Sequence, residues 1–261
     1  EYAPTLAGLK DPFEGGPFGF HTNLDPTITK EFSQAVYRLG HTLLNEQVNR
    51  MTVSGVQDNI NLFDAFLNPD AFDNNGTIMG DDAAGNIIRG LSRQHANEVD
   101  EFVTPALQSN LVGRPLDLVA INIARGRDVG LPGLNAARRT FYKATGISQL
   151  KPYNSWIDFG DNITNEGSLV NFIAAYGTHS SIINATSVSE MPETTPGAGD
   201  GTAAISIFQA KRNAAQALLD DINTVGSDGH NFMYSKAPYA LDANELPTTG
   251  VEDIDFFIKE S

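Results

Sequence analysis

Apolar residues recur along most of the chain with the spacing of α-helices, and strand-like alternation is scarce. Asp25-Pro26 suits a helix start, because Asp caps free backbone N–H groups and Pro fits the first turn. One apolar stripe then predicts a helix that continues to about Met51: Phe32, Val36, Leu39, Leu43 and Val48. Further helices are predicted over residues 94–111, 115–126, 135–145, 165–185 and 203–222. The predicted fold class is therefore mainly α.

The segments between these helices have the composition of loops. Residues 1–24 are rich in Gly, Pro and Phe, and residues 52–86 combine a short apolar patch with an Asp/Asn/Gly-rich loop. Residues 189–202 predict a flexible loop, and the tail after residue 226 is predicted to be mostly loop. Gly146 is predicted as the C-terminal cap of the helix over 135–145. A break before that helix is predicted from a cluster of Gly and Pro: Gly126, Gly130, Pro132 and Gly133.

Composition excludes several classes of function. Seventeen basic and thirty-two acidic side chains give a net charge of -15, which disfavours binding to nucleic acid or to an anionic membrane and favours cations. The absence of cysteine excludes disulfides, thiolate metal sites and cysteine nucleophiles. No apolar run reaches the length of roughly 18 residues that a membrane-spanning helix needs, so no membrane span is predicted.

The five histidines show no close pairing of the kind that binds zinc, and the motifs of serine hydrolases and phosphate-binding loops are absent. His95 and His179 are predicted to be surface or structural residues, and Trp156 a core anchor. The segment from Asp70 to Gly76 loosely resembles a calcium loop, but the Glu that should end such a loop is missing. A solvated loop is therefore expected there.

His41 differs from the other histidines in its neighbours. It lies within the first predicted helix, and Arg38 precedes it by three residues, so both side chains project from nearly the same face. Such a histidine could bind an iron through one ring nitrogen while Arg38 pairs with an acidic group of the same ligand. Spacing alone, however, favours an ordinary structural or surface histidine.

Asn122 and Arg125 share a face of the helix predicted within residues 115–126, among aliphatic residues. A buried amide or guanidinium needs hydrogen-bond partners, since leaving it without them is costly. Accepting a hydrogen bond from a metal-bound imidazole is one use of such an amide, and structural capping is an equally good one. The residues alone do not decide between them.

Three segments in order carry a family resemblance. They are AVYRLGHTL at residues 35–43, IIRGL at residues 87–91, and DLVAINIARGRD at residues 117–128, followed by GLPG and Asn135. Together they resemble the animal haem peroxidases, which include the leukocyte, thyroid and lactoperoxidases and the peroxinectins. The resemblance implies that His41 binds the iron of haem b from the proximal side and that Asn122 accepts a hydrogen bond from the other imidazole nitrogen. It further implies that Arg38 and Arg125 pair with the haem propionates.

Three further segments, NAARR at residues 135–139, SQLKPY at 148–153 and FIAAYGTH at 172–179, resemble a subgroup of this family. The subgroup consists of large secreted bacterial members, often fused to calcium-binding haemolysin-type repeats, some of them associated with extracellular Mn(II) oxidation. This implies an extracellular location and calcium in the full-length protein. Arg127 and Asp128 are expected to hold the turn that follows their helix, where Val129 replaces the family's usual His.

The family's distal residues, a Gln-x-x-Asp-His segment followed by an Arg and a Glu, precede the proximal helix, and nothing in residues 1–24 matches them. Residues 250–258 resemble a family segment that continues beyond the end of this chain. The expectation is an animal haem peroxidase-like helical domain over residues 1–261, incomplete at both ends, that supplies the proximal haem-binding part and no distal catalytic residue. Its partners would be hydrogen peroxide, a small reducing substrate (halide, phenol or Mn(II)) and the remainder of the domain. The alternative is an extracellular binding or structural module that keeps the scaffold without the chemistry.

Overall fold

A computed structural model describes residues 27–108, 116–186, 202–244 and 246–256. Within these ranges the protein is mainly α, as predicted, with a single two-stranded sheet. None of the described helices is long and apolar enough to cross a membrane. The α-helices are α1 (Lys30–Gln34), α2 (Leu62–Ala65), α3 (Gly80–Leu91), α4 (Pro105–Gln108), α5 (Leu118–Asp128), α6 (Leu134–Thr145), α7 (Trp156–Gly160), α8 (Glu166–Tyr176), α9 (Ser180–Ile183), α10 (Thr202–Asp220) and α11 (Asp228–Met233). Single 3-10 turns cover Val36–His41, Pro69–Ala71, Ser148–Leu150 and Val251–Asp253.

A small hairpin follows the first 3-10 turn. Its strands, β1 (Gln47–Val48) and β2 (Ile60–Asn61), are antiparallel, with Gln47 opposite Asn61 and Val48 opposite Ile60. Arg50 lies just after β1 and is only 3% exposed. Its guanidinium donates to the carbonyl oxygens of Asp58, Ala71 and Phe72 and forms an ion pair with the Asp58 carboxylate, Nη2 to Oδ2 at 2.7 Å. A buried cation is tolerated here because its donors are used.

The main hydrophobic core lies in the later helices, where α10 packs against α8, α9 and α11. Trp156 is fully buried and donates its indole N–H to the carbonyl of Thr249 at 2.9 Å, which confirms it as a core anchor. Phe159 packs edge-to-face against both Trp156 and Phe172. This core holds α8 in place, and α8 forms one side of the cavity described below.

The predicted long helix from Asp25-Pro26 to Met51 is wrong. Asp25-Pro26 itself lies outside the described residues; α1 ends at Gln34, and Ala35 leaves the helical region with φ -121° and ψ -71°. A 3-10 turn then carries the chain to His41, and an extended segment follows. The apolar stripe does not face a core, since Phe32 is 45% and Val36 is 51% exposed. Without burial, helical spacing alone does not stabilise a continuous helix.

Two other predicted helices are shorter than expected. Over residues 94–111 the described part is helical only in α4. The residue before a proline is disfavoured in the α region, whereas proline itself fits the first turn of a helix, so the helix begins at Pro105. The helix predicted over 165–185 breaks at Gly177, whose Cα approaches the Ile173 carbonyl so closely that a Cβ would lie 2.5 Å from that oxygen. The chain resumes as α9 after this break.

Four helices were not predicted. Helix α2 lies in the short apolar patch of residues 52–86, and α3 begins in the loop expected there. Helix α7 lies between the helices predicted over 135–145 and 165–185, and α11 lies in a tail expected to be mostly loop. The helices predicted over 115–126, 135–145 and 203–222 are confirmed as α5, α6 and α10. Gly146 caps α6 in the left-handed conformation, as predicted, with φ 72°. Residues 1–24, 109–111 and 189–201 lie outside the described residues, and the predictions made for them stay predictions.

The glycine of the IIRGL segment, Gly90, is required by a close contact with the backbone. It is buried where α3 crosses the chain after β1, and a Cβ there would overlap the backbone carbonyl of Asn49. Gly90→Ala should therefore destabilise the fold by about 1–3 kcal/mol, because the obstacle is backbone that cannot move aside. Thermal unfolding measures the loss. Gly85→Ala in the same helix is the control, since its Cβ meets only the flexible Arg89 side chain; equal loss in both variants would contradict the crossing as the cause.

Candidate functional site

Helix α5 places Asn122 inside the protein. Asp117 caps the helix start by accepting hydrogen bonds from the N–H groups of Val119 and Ala120 at 2.9 and 3.0 Å. One turn later Asn122 is 1% exposed, and Gly126 on the same side is also buried. Arg125 lies on the exposed side of the helix. Asn122 and Arg125 were expected to share one face of this helix, but Asn122 lies in the interior and Arg125 at the surface.

His41 ends the 3-10 turn and meets Asn122, 81 residues later in the chain. Asn122 Nδ2 and His41 Nδ1 lie 3.0 Å apart. The Asn122 carbonyl oxygen is buried and has no hydrogen-bond partner among the described residues. Rotation of the amide by a half-turn exchanges its nitrogen and oxygen, so the side chain can accept a hydrogen bond from a protonated Nδ1 as readily as it can donate to a bare one.

The His41 ring is suited to act as a neutral ligand. Burial, and secondly the positive charge of Arg38, hold the pKa of His41 below its ordinary value of 6.5. The imidazole is therefore neutral at pH 7, which is the form that binds metals. Nδ1 is engaged by Asn122, and Nε2 has no hydrogen-bond partner in the part of the chain that the structure describes. The free nitrogen is the one remote from Asn122.

His41 lines a cavity of about 500 Å³, a volume within the range of ligand sites. Its wall is mostly apolar and comes mainly from four parts of the fold: the 3-10 turn with Arg38 and Leu39, helix α5 with Val119 and Ile123, helix α6 with Leu134 and Phe141, and helix α8 with Phe172 and Tyr176. Phe208 of α10 and Phe256 also line it. Asp100 and Glu101 also line it and separate it from a smaller cavity of about 260 Å³. The arrangement suits a large apolar ligand with a few polar groups.

The two arginines are placed differently. Arg38 lies in the cavity wall, and its Nε donates to the carbonyl of Ser33 at 3.2 Å. Its terminal nitrogens have no partner among the described residues, so they can bind an anionic group of a ligand. Arg125 is exposed and is not part of the cavity wall as described. The structure therefore brings together His41, Asn122 and Arg38, and leaves Arg125 at the surface one helical turn from Asn122.

Arg127 joins the end of α5 to a distant partner rather than to the turn after the helix, which it and Asp128 were expected to hold. Its Nε and Nη2 bind the two carboxylate oxygens of Asp255 at 2.9 and 2.6 Å, and Tyr176 donates its hydroxyl hydrogen to the same carboxylate at 2.7 Å. Tyr176 and Asp255 were not singled out from the sequence as site residues. Tyr176 belongs to the FIAAYGTH segment, the one signal that pointed to it, whereas nothing local marks Asp255.

The remaining histidines of interest are structural or exposed, as predicted. His179 is 5% exposed, caps α9 by accepting from the Ser181 N–H at 3.2 Å, and contacts Asp228 at 3.0 Å. His95 is exposed. Within the described ranges, no group of three or more His, Asp or Glu side chains could hold a metal ion by itself. A single histidine at an apolar cavity could hold a haem iron without any such group.

The comparisons with known proteins agree on one family. The family model described as animal haem peroxidase matches residues 3–214. Peroxidase mlt-7 of Caenorhabditis elegans is 32% identical over 179 residues, which are 68% of this chain and 23% of that protein. Thyroid peroxidase of Homo sapiens is 32% identical over 147 residues, which are 53% of this chain and 15% of that protein.

A solved structure, peroxidase A from Dictyostelium discoideum, is 25% identical, with a TM-score of 0.46 over 56% of this chain and 26% of that chain. This chain thus spans about a quarter or less of the length of these three relatives.

Proposed function

Since this chain belongs to the animal haem peroxidase family, we propose that it forms the proximal side of a haem site in a peroxidase that oxidises small substrates with hydrogen peroxide. One observation carries the proposal: Asn122 engages Nδ1 of His41 at 3.0 Å, while the other ring nitrogen has no hydrogen-bond partner among the described residues, in a side chain that lines an apolar cavity of about 500 Å³.

Each residue of the site has a defined task. His41 would bind the iron of haem b through Nε2, and Asn122 would accept a hydrogen bond from Nδ1–H, which fixes the ring and strengthens it as a donor. The unpartnered Asn122 oxygen fits this task, because a metal-bound imidazole carries its proton on Nδ1. Arg38, and Arg125 from the surface, would pair with the propionates. When bound, haem supplies peroxide reduction coupled to oxidation of the substrate.

The lining of the cavity and the net charge of the chain limit which cofactor and which reducing substrates would suit the site. Apolar side chains from α5 and α8 line the cavity and would exclude water from a bound haem, while Arg38 would supply a positive charge for a carboxylate. The net charge of -15 favours the approach of Mn(II) over that of a halide, with phenols as neutral candidates. An extracellular location, membership of the secreted bacterial subgroup and calcium in the full-length protein are further proposals. They rest on the subgroup resemblance.

We expect the purified chain to take up haem and yet to oxidise guaiacol slowly with peroxide. The reason is that cleavage of the O–O bond needs acid–base groups on the distal side, and no distal motif is found in residues 1–24. A haem titration followed at the Soret band, and then a guaiacol assay, measures both. Rapid turnover would contradict the assignment to the proximal part alone. Absence of a Soret band would instead favour a binding or structural module.

A further inference from the structure

Tyr176 is the last residue of α8 and lines the cavity that also contains His41 and Arg38. Its hydroxyl donates to Asp255 Oδ2 at 2.7 Å. Asp255 is largely buried, with 16% of its side chain exposed, and Arg127 binds both of its oxygens. A phenol at the wall of an apolar cavity is thus joined by a short hydrogen bond to a carboxylate whose position is fixed.

Oxidation of a phenol by one electron requires that its proton leave, because the protonated radical is a very strong acid. A carboxylate already accepting the O–H hydrogen bond can take that proton without any rearrangement. In the resting protein the phenol stays intact, since burial and the neighbouring Asp255 charge raise the pKa of Tyr176. The group is therefore protonated at rest and has a proton acceptor in place.

We propose that Tyr176 is a redox-active residue that gives one electron to peroxide-oxidised haem in this cavity and its phenolic proton to Asp255. This inference rests on the proposed haem site. The class of reaction is proton-coupled electron transfer, and the consequence is that oxidising equivalents reach the protein wall of the cavity. From there a reducing substrate can be oxidised without entering the haem site.

The step balances in electrons and atoms. The O–H bond of Tyr176 breaks and an O–H bond forms at Asp255 Oδ2. The electron would pass to the haem of the proposed site and would replace one of the two electrons that, with two protons, reduce one hydrogen peroxide to two waters; the reducing substrate would supply the other. The products are a neutral phenoxyl radical and a neutral carboxyl group. Arg127 is then left beside an uncharged partner, which favours return of the proton when a one-electron reductant restores Tyr176.

A purely structural tether is the competing explanation, since the same hydrogen bond joins α8 to the segment that contains Asp255. The protein offers a matched pair for comparison. Tyr239 donates to Asp228 Oδ1, also at 2.7 Å, and the pKa of Tyr239 is raised to about 12 by burial and by that carboxylate. Tyr239 is not part of the wall of the cavity that contains His41. The two tyrosine–aspartate pairs therefore differ in that only Tyr176 lies at the proposed haem site.

The experiment is electron paramagnetic resonance on the haem-loaded chain, frozen after one equivalent of peroxide or a peroxyacid, with ring-deuterated tyrosine to identify the radical. A single oxidation is measured, so slow turnover does not prevent it. We expect a tyrosyl signal in the wild type and in Tyr239→Phe, and its loss in Tyr176→Phe. Asp255→Asn, which keeps an acceptor oxygen but is a far weaker base, should also lose the signal.

The outcomes are distinguishable. A Soret band with a tyrosyl signal that survives Tyr176→Phe overturns the role of Tyr176 and leaves the proposed function standing. Absence of the Soret band in the wild type overturns both. If Tyr176→Phe does not fold, as shown by circular dichroism, the wild-type radical is labelled with a nitroso spin trap and located by mass spectrometry. A label on Tyr176 supports the proposal, and a label on another tyrosine, or a Soret band without a tyrosyl signal, contradicts it.

Discussion

His41→Ala is expected to abolish axial ligation of haem by this chain. The variant removes the one imidazole that lines the cavity with a nitrogen free of hydrogen bonds among the described residues. Asp100, Glu101 and Tyr176 also line the cavity, but each already has a partner: Asp100 accepts from the Phe102 N–H, Glu101 accepts from Ser168 and Asn171, and Tyr176 donates to Asp255. A haem titration should then show no sharp Soret shift, while circular dichroism shows an intact fold. Added imidazole should restore the band, because the vacated space is lined by the same residues.

The control is His95→Ala. His95 is exposed, and its only described hydrogen bond uses its backbone carbonyl, which accepts from Asn45 and survives the substitution. Haem uptake should be unchanged in this variant. If His41→Ala retains the wild-type band and His95→Ala loses it, the ligand has been misassigned.

The pH dependence of haem affinity provides a second test of the role of His41. Protons compete with iron for the imidazole, so haem affinity should fall only as the pH drops through the lowered pKa of His41, below its ordinary value of 6.5. Above that range affinity should be flat. A decline that begins well above pH 6.5 would show that another group controls binding.

The sequence predicted the pairing of His41 with Asn122 even though the helix assigned to His41 was wrong. The contact between these residues, which are 81 positions apart, was expected from the family resemblance of the ordered motifs. The helix was expected only from the local spacing of apolar residues. Local spacing failed because Phe32 and Val36 are half exposed, so the apolar stripe had no core to face. The end of helix α6 was predicted well because Gly146 is a strong local signal, whereas α5 was predicted to begin at residue 115, before the Asp117 cap at which it starts.

The cavity itself could not be predicted from the sequence. Its wall combines mainly the 3-10 turn, α5, α6 and α8, and no local pattern indicates which elements will meet. The same holds for Tyr176 and Asp255, which are 79 residues apart. Likewise α3 was missed because its glycines and aspartates resemble a loop, although Gly90 is required by the close crossing of α3 over the chain at Asn49. Tertiary contacts override weak helix propensity at such positions.

Asn122→Ala is expected to weaken haem binding by about 10–100-fold without abolishing it, the range typical for loss of a group that orients a metal ligand. The His41 ring would lose its only described hydrogen bond and could rotate, and the iron–nitrogen bond would weaken because the imidazole is no longer polarised. The Soret titration gives the affinity. The iron–histidine stretching frequency of the reduced protein, measured by resonance Raman spectroscopy, should fall and reports the donor strength directly.

Asn135→Ala is the matched control, because Asn135 is equally buried and lies on the neighbouring helix α6. Its side chain binds both backbone groups of Tyr153 at 2.8 Å, so its loss should lower the free energy of unfolding by about 1–3 kcal/mol and leave the iron–histidine frequency unchanged. The double variant of His41→Ala with Asn122→Ala should bind haem no more weakly than His41→Ala alone, since Asn122 acts through His41. Additive losses would mean that Asn122 supports the cavity by packing rather than by orienting the ligand.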